Sequence, residues 1–99
     1  MLLRKKLAWK VEFDPHAEKE LRKIDKIHSS RIIKFLRTRL ENTADPRSIG
    51  EALRGPFKQL WKYRVGDFRI ICNIQDEVIK ILVLRIAHRR EIYKRFGSR

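Results

Sequence analysis

The sequence predicts an α+β domain. A small antiparallel sheet of about four strands carries two N-terminal helices on one face and a short C-terminal helix, in the order β-α-α-β-β-β-α. Three observations predict it. Apolar and polar side chains alternate over residues 7–13, the period of a half-buried strand. Helical spacing follows over residues 15–40. Alternation then returns in three runs split by short turn sequences, the pattern of a meander.

In the first strand Leu7, Trp9, Val11 and Phe13 share one face, and Ala8 interrupts the polar set. It is expected at an edge of the meander. Asp14-Pro15 opens a helix, with aspartate as N-cap and proline at the first helical position. Ala17, Leu21 and Ile24 carry its stripe to about Asp25. Asp14, Glu18 and Glu20 read as helix-start acids, favoured by the positive end of the dipole. A second helix is predicted from near Ser29 or Ser30 to Glu41-Asn42, burying Ile32, Phe35, Leu36 and Leu40. Asn42 to Gly50 reads as a loop. Strands are predicted over Lys58–Val65, Phe68–Ile74 and Val78–Ile86, turned by Gly66-Asp67 and Gln75-Asp76-Glu77. IKILVLRIA is apolar on both parities, so the last strand should be central with both faces covered. HRREIYKRF closes the chain as a short helix.

The 99 residues suit one domain spanning 1–99, and a 42% hydrophobic share suits a folded globule. The formal charge of +13, from 25 Lys+Arg against 12 Asp+Glu, attracts polyanions. Nucleic acid is the first partner this implies, an acidic protein the second and an anionic membrane surface a weaker third. Cys72 is the only cysteine, which excludes an intramolecular disulfide and a Cys-rich zinc site and points to a reducing compartment, the cytoplasm. The opening MLLRKKLAWK has no apolar run of signal-peptide length, and no run reaches membrane-spanning length; no membrane association is expected.

Alternation puts Lys62 and Arg64 on one face of their strand and Trp61 and Tyr63 on the other. Which way Arg69 faces depends on the hairpin register; a tight turn at Gly66-Asp67 brings it beside the other two. Arg85 and the His88-Arg89-Arg90 triplet leave the end of the last strand. A solvated outer face is the plain alternative, since antiparallel sheets often carry one. Two features oppose it. No carboxylates interleave with these cations in the sequence, and Tyr93, with Phe96 behind it, adds aromatic surface. Cations for phosphates and rings for bases suit a single RNA strand. His16, His28 and His88 lie far apart without a supporting carboxylate pattern, so no metal is expected, nor another cofactor.

Three segments, LRG at Leu53–Gly55, LWKYRVGDFRII at Leu60–Ile71 and IAHRREIYKR at Ile86–Arg95, together with the β-α-α lead-in, resemble the RelE/ParE superfamily of toxins from bacterial and archaeal toxin–antitoxin pairs. The resemblance covers nearly the whole chain. It implies the RelE-like activity: a ribosome-dependent endoribonuclease that enters the A site, cuts the exposed codon and is neutralised by an acidic, RelB-like antitoxin. The ParE branch shares the fold and inhibits DNA gyrase without known RNA cleavage.

By the same resemblance Lys62 and Arg64 hold the two basic places before the hairpin, and Arg69 the arginine after it. Arg89, beside His88, holds the arginine before the last helix, and Tyr93 the C-terminal tyrosine. Arg54 matches a basic residue that holds ribosomal RNA. Lys58, Arg85, Arg90 and Lys94 are further candidate RNA or ribosome contacts. Arg64 stands where lysine is common, and arginine clamps phosphate but accepts protons poorly.

The chemistry implied is attack of the RNA 2′-hydroxyl on the adjacent phosphate. Arg69 is the candidate charge stabiliser, through two parallel hydrogen bonds. Lys62 is a candidate base, because crowded cations disfavour a further proton. His88 competes for the base or acid role, histidine being the side chain that ordinarily titrates near neutrality. Arg89 is leaving-group acid or second clamp, and Tyr93 stacks on a base or orients the 2′-hydroxyl. A non-catalytic RNA-binding module on the same face remains a third reading beside the nuclease and the gyrase inhibitor.

Overall fold

A computed structural model describes residues 8–97, and the expected strand start at Leu7 lies outside them. The first strand, β1, is Lys10–Phe13. Asp14 then caps α1, Pro15–Lys23, its Oδ2 accepting the His16 N–H at 2.9 Å. Helix α1 ends two residues before the expected boundary, where Ile24 turns extended. Helix α2, Lys26–Phe35, starts earlier than predicted. Its cap is Asp25, which accepts the His28 N–H at 3.3 Å and bonds His28 Nδ1 at 2.7 Å. The residue read as the end of one helix is the start of the next. Helix α2 continues through a wider, π-type turn over Leu36–Leu40, closed by Glu41 N–H to Leu36 O at 3.1 Å. Such turns re-aim side chains, and here Leu36 and Leu40 are both buried.

The sheet has five strands in the order β1-β5-β4-β3-β2. β2 is Glu51–Ala52, β3 Trp61–Val65, β4 Phe68–Gln75 and β5 Lys80–His88. Strand β1 lies at one edge as expected, but pairs in parallel with β5, which makes the sheet mixed. Two-residue β2 has no alternation to read and falls next to the predicted loop. β3 begins after Lys58 because Gly55-Pro56 start a 3-10 turn. β5 begins after Val78 because Asp76–Val78 wind likewise and Ile79 goes left-handed, φ 50°. Val65 stands opposite Phe68, so the β3–β4 turn has two residues. Gly66 at φ 61°, with Asp67 not positive, is the type II′ pattern that follows strand twist.

Both helices pack on one sheet face over Tyr63, Ile70, Cys72, Ile81, Val83 and Ile86. The other face is partly covered by α3, Arg89–Phe96. Ile92 of α3 packs on Leu53 and Ile71, with Phe57, Leu60, Ala87 and Phe96 around them. Phe96 meets Phe57 edge-on at 4.9 Å between centroids; it belongs to this small core and adds nothing to an open aromatic surface. β5 is an interior strand between β1 and β4, covered on the helix face by the main core and on the other only near Ala87, while Leu82 and Leu84 stay half-exposed.

The β4–β5 register slips between Ile71, opposite Arg85, and Cys72, opposite Val83. A bulge leaves backbone and side-chain groups to satisfy. Glu20 satisfies them: Oε2 accepts Arg85 Nε at 3.0 Å and Nη2 at 2.8 Å, and Oε1 accepts the Ile86 N–H at 2.7 Å. Glu20 is therefore a clamp between α1 and the bulge rather than a helix-start acid.

The 46–50 segment is tied to the sheet edge by Tyr63 Oη donating to Pro46 O at 2.7 Å and Trp61 Nε1 to Ile49 O at 2.6 Å. Arg47 adds a bidentate pair to Asp76, both bonds 2.9 Å. That guanidinium holds the Asp76 carboxyl below the usual aspartate range. A depressed folded value gives stability that is present above the unfolded value near 3.8 and is lost as pH falls through the folded one. Asp76→Asn is therefore expected to flatten the acid-side fall of the thermal midpoint between about pH 5 and pH 2. Near neutrality the variant lacks that contribution and should melt slightly lower, by little because both groups are largely exposed, and the two midpoints should converge in acid. Scanning calorimetry over that range checks it.

Candidate nucleic-acid interface

The hairpin register places Arg64 directly opposite Arg69 and Lys62 opposite Ile71. Opposed residues project to the same side, so Lys62, Arg64 and Arg69 share one face, as a tight turn implied. Like charges directly opposite repel, and the structure separates them. Arg64 is exposed. Arg69 is only 4% exposed and folds back on the turn, its Nη1 donating to Gly66 O at 2.9 Å and Phe68 O at 3.1 Å. Its Nε and Nη2 have no protein partner among the described residues. Among the described residues no fully enclosed side-chain nitrogen or oxygen lacks a partner, so these two donors keep a sliver of the residue's 4% exposure.

Lys62 is 6% exposed. Its Nζ lies 3.4 Å from Glu51 Oε2, and Glu51 is its directly opposed neighbour on β2. The expectation of cations without interleaved carboxylates is corrected here. Glu51, from the segment next to the loop, sits among them and offsets the crowding around Lys62.

Helix α3 starts at the hairpin. Arg89 N–H donates to Asp67 O at 2.8 Å, so Arg89 and the Arg69 guanidinium are both anchored on the two turn residues. His88 is the N-cap of α3, its Nδ1 accepting the Arg90 N–H at 3.2 Å. That bond occupies Nδ1 as an acceptor and leaves Nε2 for other contacts. The same ring meets Phe68 edge-on at 5.9 Å, and Phe68 meets His28 at 5.3 Å. Tyr93, half-buried, follows Arg89 by one helical turn. Arg90 and Lys94 are exposed on α3.

The other candidates are not brought in. Arg85 is held by Glu20 and leaves the cationic group. Arg54 and Lys58 flank the Gly55–Phe57 turn, exposed, on the approach to β3. Sequence reasoning missed two residues here. Glu51 carries no local signal, and Arg39 reads as a solvent position of α2. Both line an open cleft of about 320 Å³ with Phe35, Ile49, Gly50, Lys62 and Arg64.

A sequence profile described as the ParE toxin of the type II toxin–antitoxin system parDE matches residues 11–93. The chain belongs to the RelE/ParE toxin family. A relative in that family, Toxin RelG of Mycobacterium tuberculosis, is 27% identical over 89 residues, 90% of this chain and 100% of its own length. The toxin–antitoxin complex RelBE2 of M. tuberculosis matches with a TM-score of 0.76 at 25% identity, over 85% of this chain and 94% of that one. A double arginine-to-alanine mutant of E. coli RelE in the free state matches at 0.70 and 26%, over 90% and 94%. The same mutant bound to an antitoxin RelBc peptide matches at 0.68 and 27%, over 89% and 93%. Within this family fold the β3–β4 hairpin and the start of α3 carry two exposed cations, Arg64 and Arg89, about a buried Arg69, with a buried lysine and a half-buried tyrosine on the same elements. Such a group can bind a phosphodiester and stabilise added charge on it. No helix among the described residues is long and apolar enough to cross a membrane.

Proposed function

We propose that this type II toxin is a ribosome-dependent endoribonuclease that cleaves mRNA in the A site and thereby inhibits translation in the cytoplasm. The observation that carries the reading is the pairing of Arg64 opposite Arg69, with Lys62 on the same face. Directly opposed arginines repel; Arg69 relieves this by folding onto the turn carbonyls, and the face keeps a surplus of positive charge that an RNA phosphate would offset. The relative and the solved structures with RelE names support the same branch.

In the reaction the 2′-oxygen attacks the adjacent phosphorus and the phosphorus–O5′ bond breaks. The products are a 2′,3′-cyclic phosphate and a 5′-hydroxyl. The Nε and Nη2 of Arg69, without a protein partner among the described residues, take the phosphate oxygens, and Arg64 supplies a second clamp. Lys62, held in an ion pair by Glu51, positions the 2′-oxygen, and the 2′ proton passes to water. Water or His88 gives the leaving 5′-oxygen its proton, Arg89 stabilises the charge there as a further clamp, and Tyr93 stacks on a base. The stabilising donors are fixed, while the strand must be brought into line by something else; the A site would supply that orientation. Arg54, Lys58, Arg90 and Lys94 form the ribosome-facing rim, and residues 1–99 act as one toxin domain. The partner is an acidic RelB-like antitoxin, in keeping with the neighbours solved as toxin–antitoxin complexes and with the +13 charge.

A second reading, inhibition of DNA gyrase, is favoured by the match to a ParE profile. Two assays on one preparation separate them. The nuclease reading expects truncated mRNA on purified ribosomes with gyrase supercoiling unaffected. Blocked supercoiling with intact mRNA would replace it by the second.

A further inference from the structure

We propose that the cleft at the open edge of β3 is a second phosphate subsite, where Arg39 and Arg64 hold a nucleotide next to the scissile one on a single RNA strand; this deepens the nuclease reading and rests on it. β2 pairs with β3 only at Glu51 and Ala52, opposite Lys62 and Trp61. The next residue back, Gly50, leaves the ladder at φ 75°, so the outer edge of β3 beyond Lys62 loses its strand neighbour. A Cβ on Gly50 would stand 2.5 Å from Lys62 O and 2.8 Å from the Tyr63 ring. Glycine is thus required for the chain to turn away there and leave the cleft.

The cleft has an apolar floor, Phe35 and Ile49, and a rim of Arg39, Lys62 and Arg64 against the single carboxylate of Glu51. That carboxylate is already paired with Lys62. The Arg39 guanidinium lies over the Phe35 ring, 5.9 Å from its centroid, which holds it at the rim. Neither Arg39 nor Arg64 has an acidic partner among the described residues, in a chain with 12 carboxylates. An apolar floor under converging cations suits a base with its phosphate, and about 320 Å³ suits one nucleotide. Arg64 stands opposite Arg69, so the cleft extends the cationic line of the hairpin toward α2. Arg37, two residues earlier on the same π turn, lines a different groove, with Val11, Phe13, Leu21, Ile33, Leu36 and Glu41. It provides a charge-matched control.

The test is fluorescence anisotropy of a labelled 2′-O-methyl RNA hexamer, which cannot be cleaved, titrated with the full chain at several salt concentrations. Arg39→Gln is expected to weaken binding several-fold and to lower the slope of log K against log salt by about 0.7, one phosphate contact. Arg37→Gln should leave the slope at the parent value. Equal loss in both variants, or none in Arg39→Gln, overturns the subsite and leaves the nuclease reading standing. A parent chain that binds no hexamer overturns the subsite, and the nuclease reading is then decided by cleavage on purified ribosomes. If hexaglutamate binding depends on Arg39 and hexamer binding does not, the cleft docks an acidic protein and the subsite is wrong.

Discussion

Arg69→Ala is expected to lower the rate of mRNA cleavage on ribosomes by about 10²–10³-fold, the effect of removing one fixed donor that acts on developing charge. RNA affinity should fall far less, because only one phosphate contact is lost. That split between rate and affinity distinguishes a catalytic group from a binding one. Arg69 also has a structural task, since its Nη1 bonds two carbonyls of the turn. Each such bond contributes about 1 kcal/mol, so the variant should melt several degrees lower and must be assayed well below its midpoint. Arg69→Lys supplies the control. It keeps the charge and loses the fork, and should recover part of the affinity but little of the rate. Growth arrest by Arg69→Ala equal to that of the parent would remove Arg69 from the chemistry.

Glu20→Ala should give the largest loss of stability among single exposed-to-buried polar changes. The Arg85 and Glu20 side chains are only 19% and 20% exposed, and the carboxylate also satisfies the Ile86 N–H at the bulge. Removing it strands a guanidinium and a backbone donor together. Fully buried pairs broken from one side lose about 3–5 kcal/mol; partial exposure brings the expectation here to about 2–4 kcal/mol. For a domain of this size that is a fall of about 10–20 °C in thermal midpoint. Glu20→Gln should retain the Ile86 bond and lose roughly half as much. A midpoint within a few degrees of the parent would show that water replaces the carboxylate at the bulge.

Legibility differed between elements for physical reasons. The β3–β4 hairpin could be read because Gly66-Asp67 is a strong local turn signal flanked by alternation, and a two-residue turn sets the register that unites Lys62, Arg64 and Arg69. The start of α2 could not, because Asp25 both follows one apolar stripe and caps the next, and spacing alone assigns it to the first. Arg85 looked like part of the cationic face by position; a bulge invisible in the sequence hands it to Glu20. His88 was read as a candidate base or acid from its residue type, while its backbone position makes it a helix cap that directs one ring nitrogen inward. Glu51 and Arg39 reach the site only through tertiary approach across the edge of β3, which no periodicity reports. The apolar pattern thus specifies which face is buried, whereas the ionic pairing among the remaining charges depends on register and bulges.

The most direct measurement places a single 2′-deoxynucleotide in an mRNA at the position cut by the parent chain on purified ribosomes, with the ends of the products mapped. Unmodified message should yield a 2′,3′-cyclic or 3′-phosphate end and a 5′-hydroxyl, and the deoxy-substituted message should stay intact at that position. Equal cutting of both messages, or no cutting of either, would contradict a cationic hairpin face that promotes attack by the RNA's own hydroxyl.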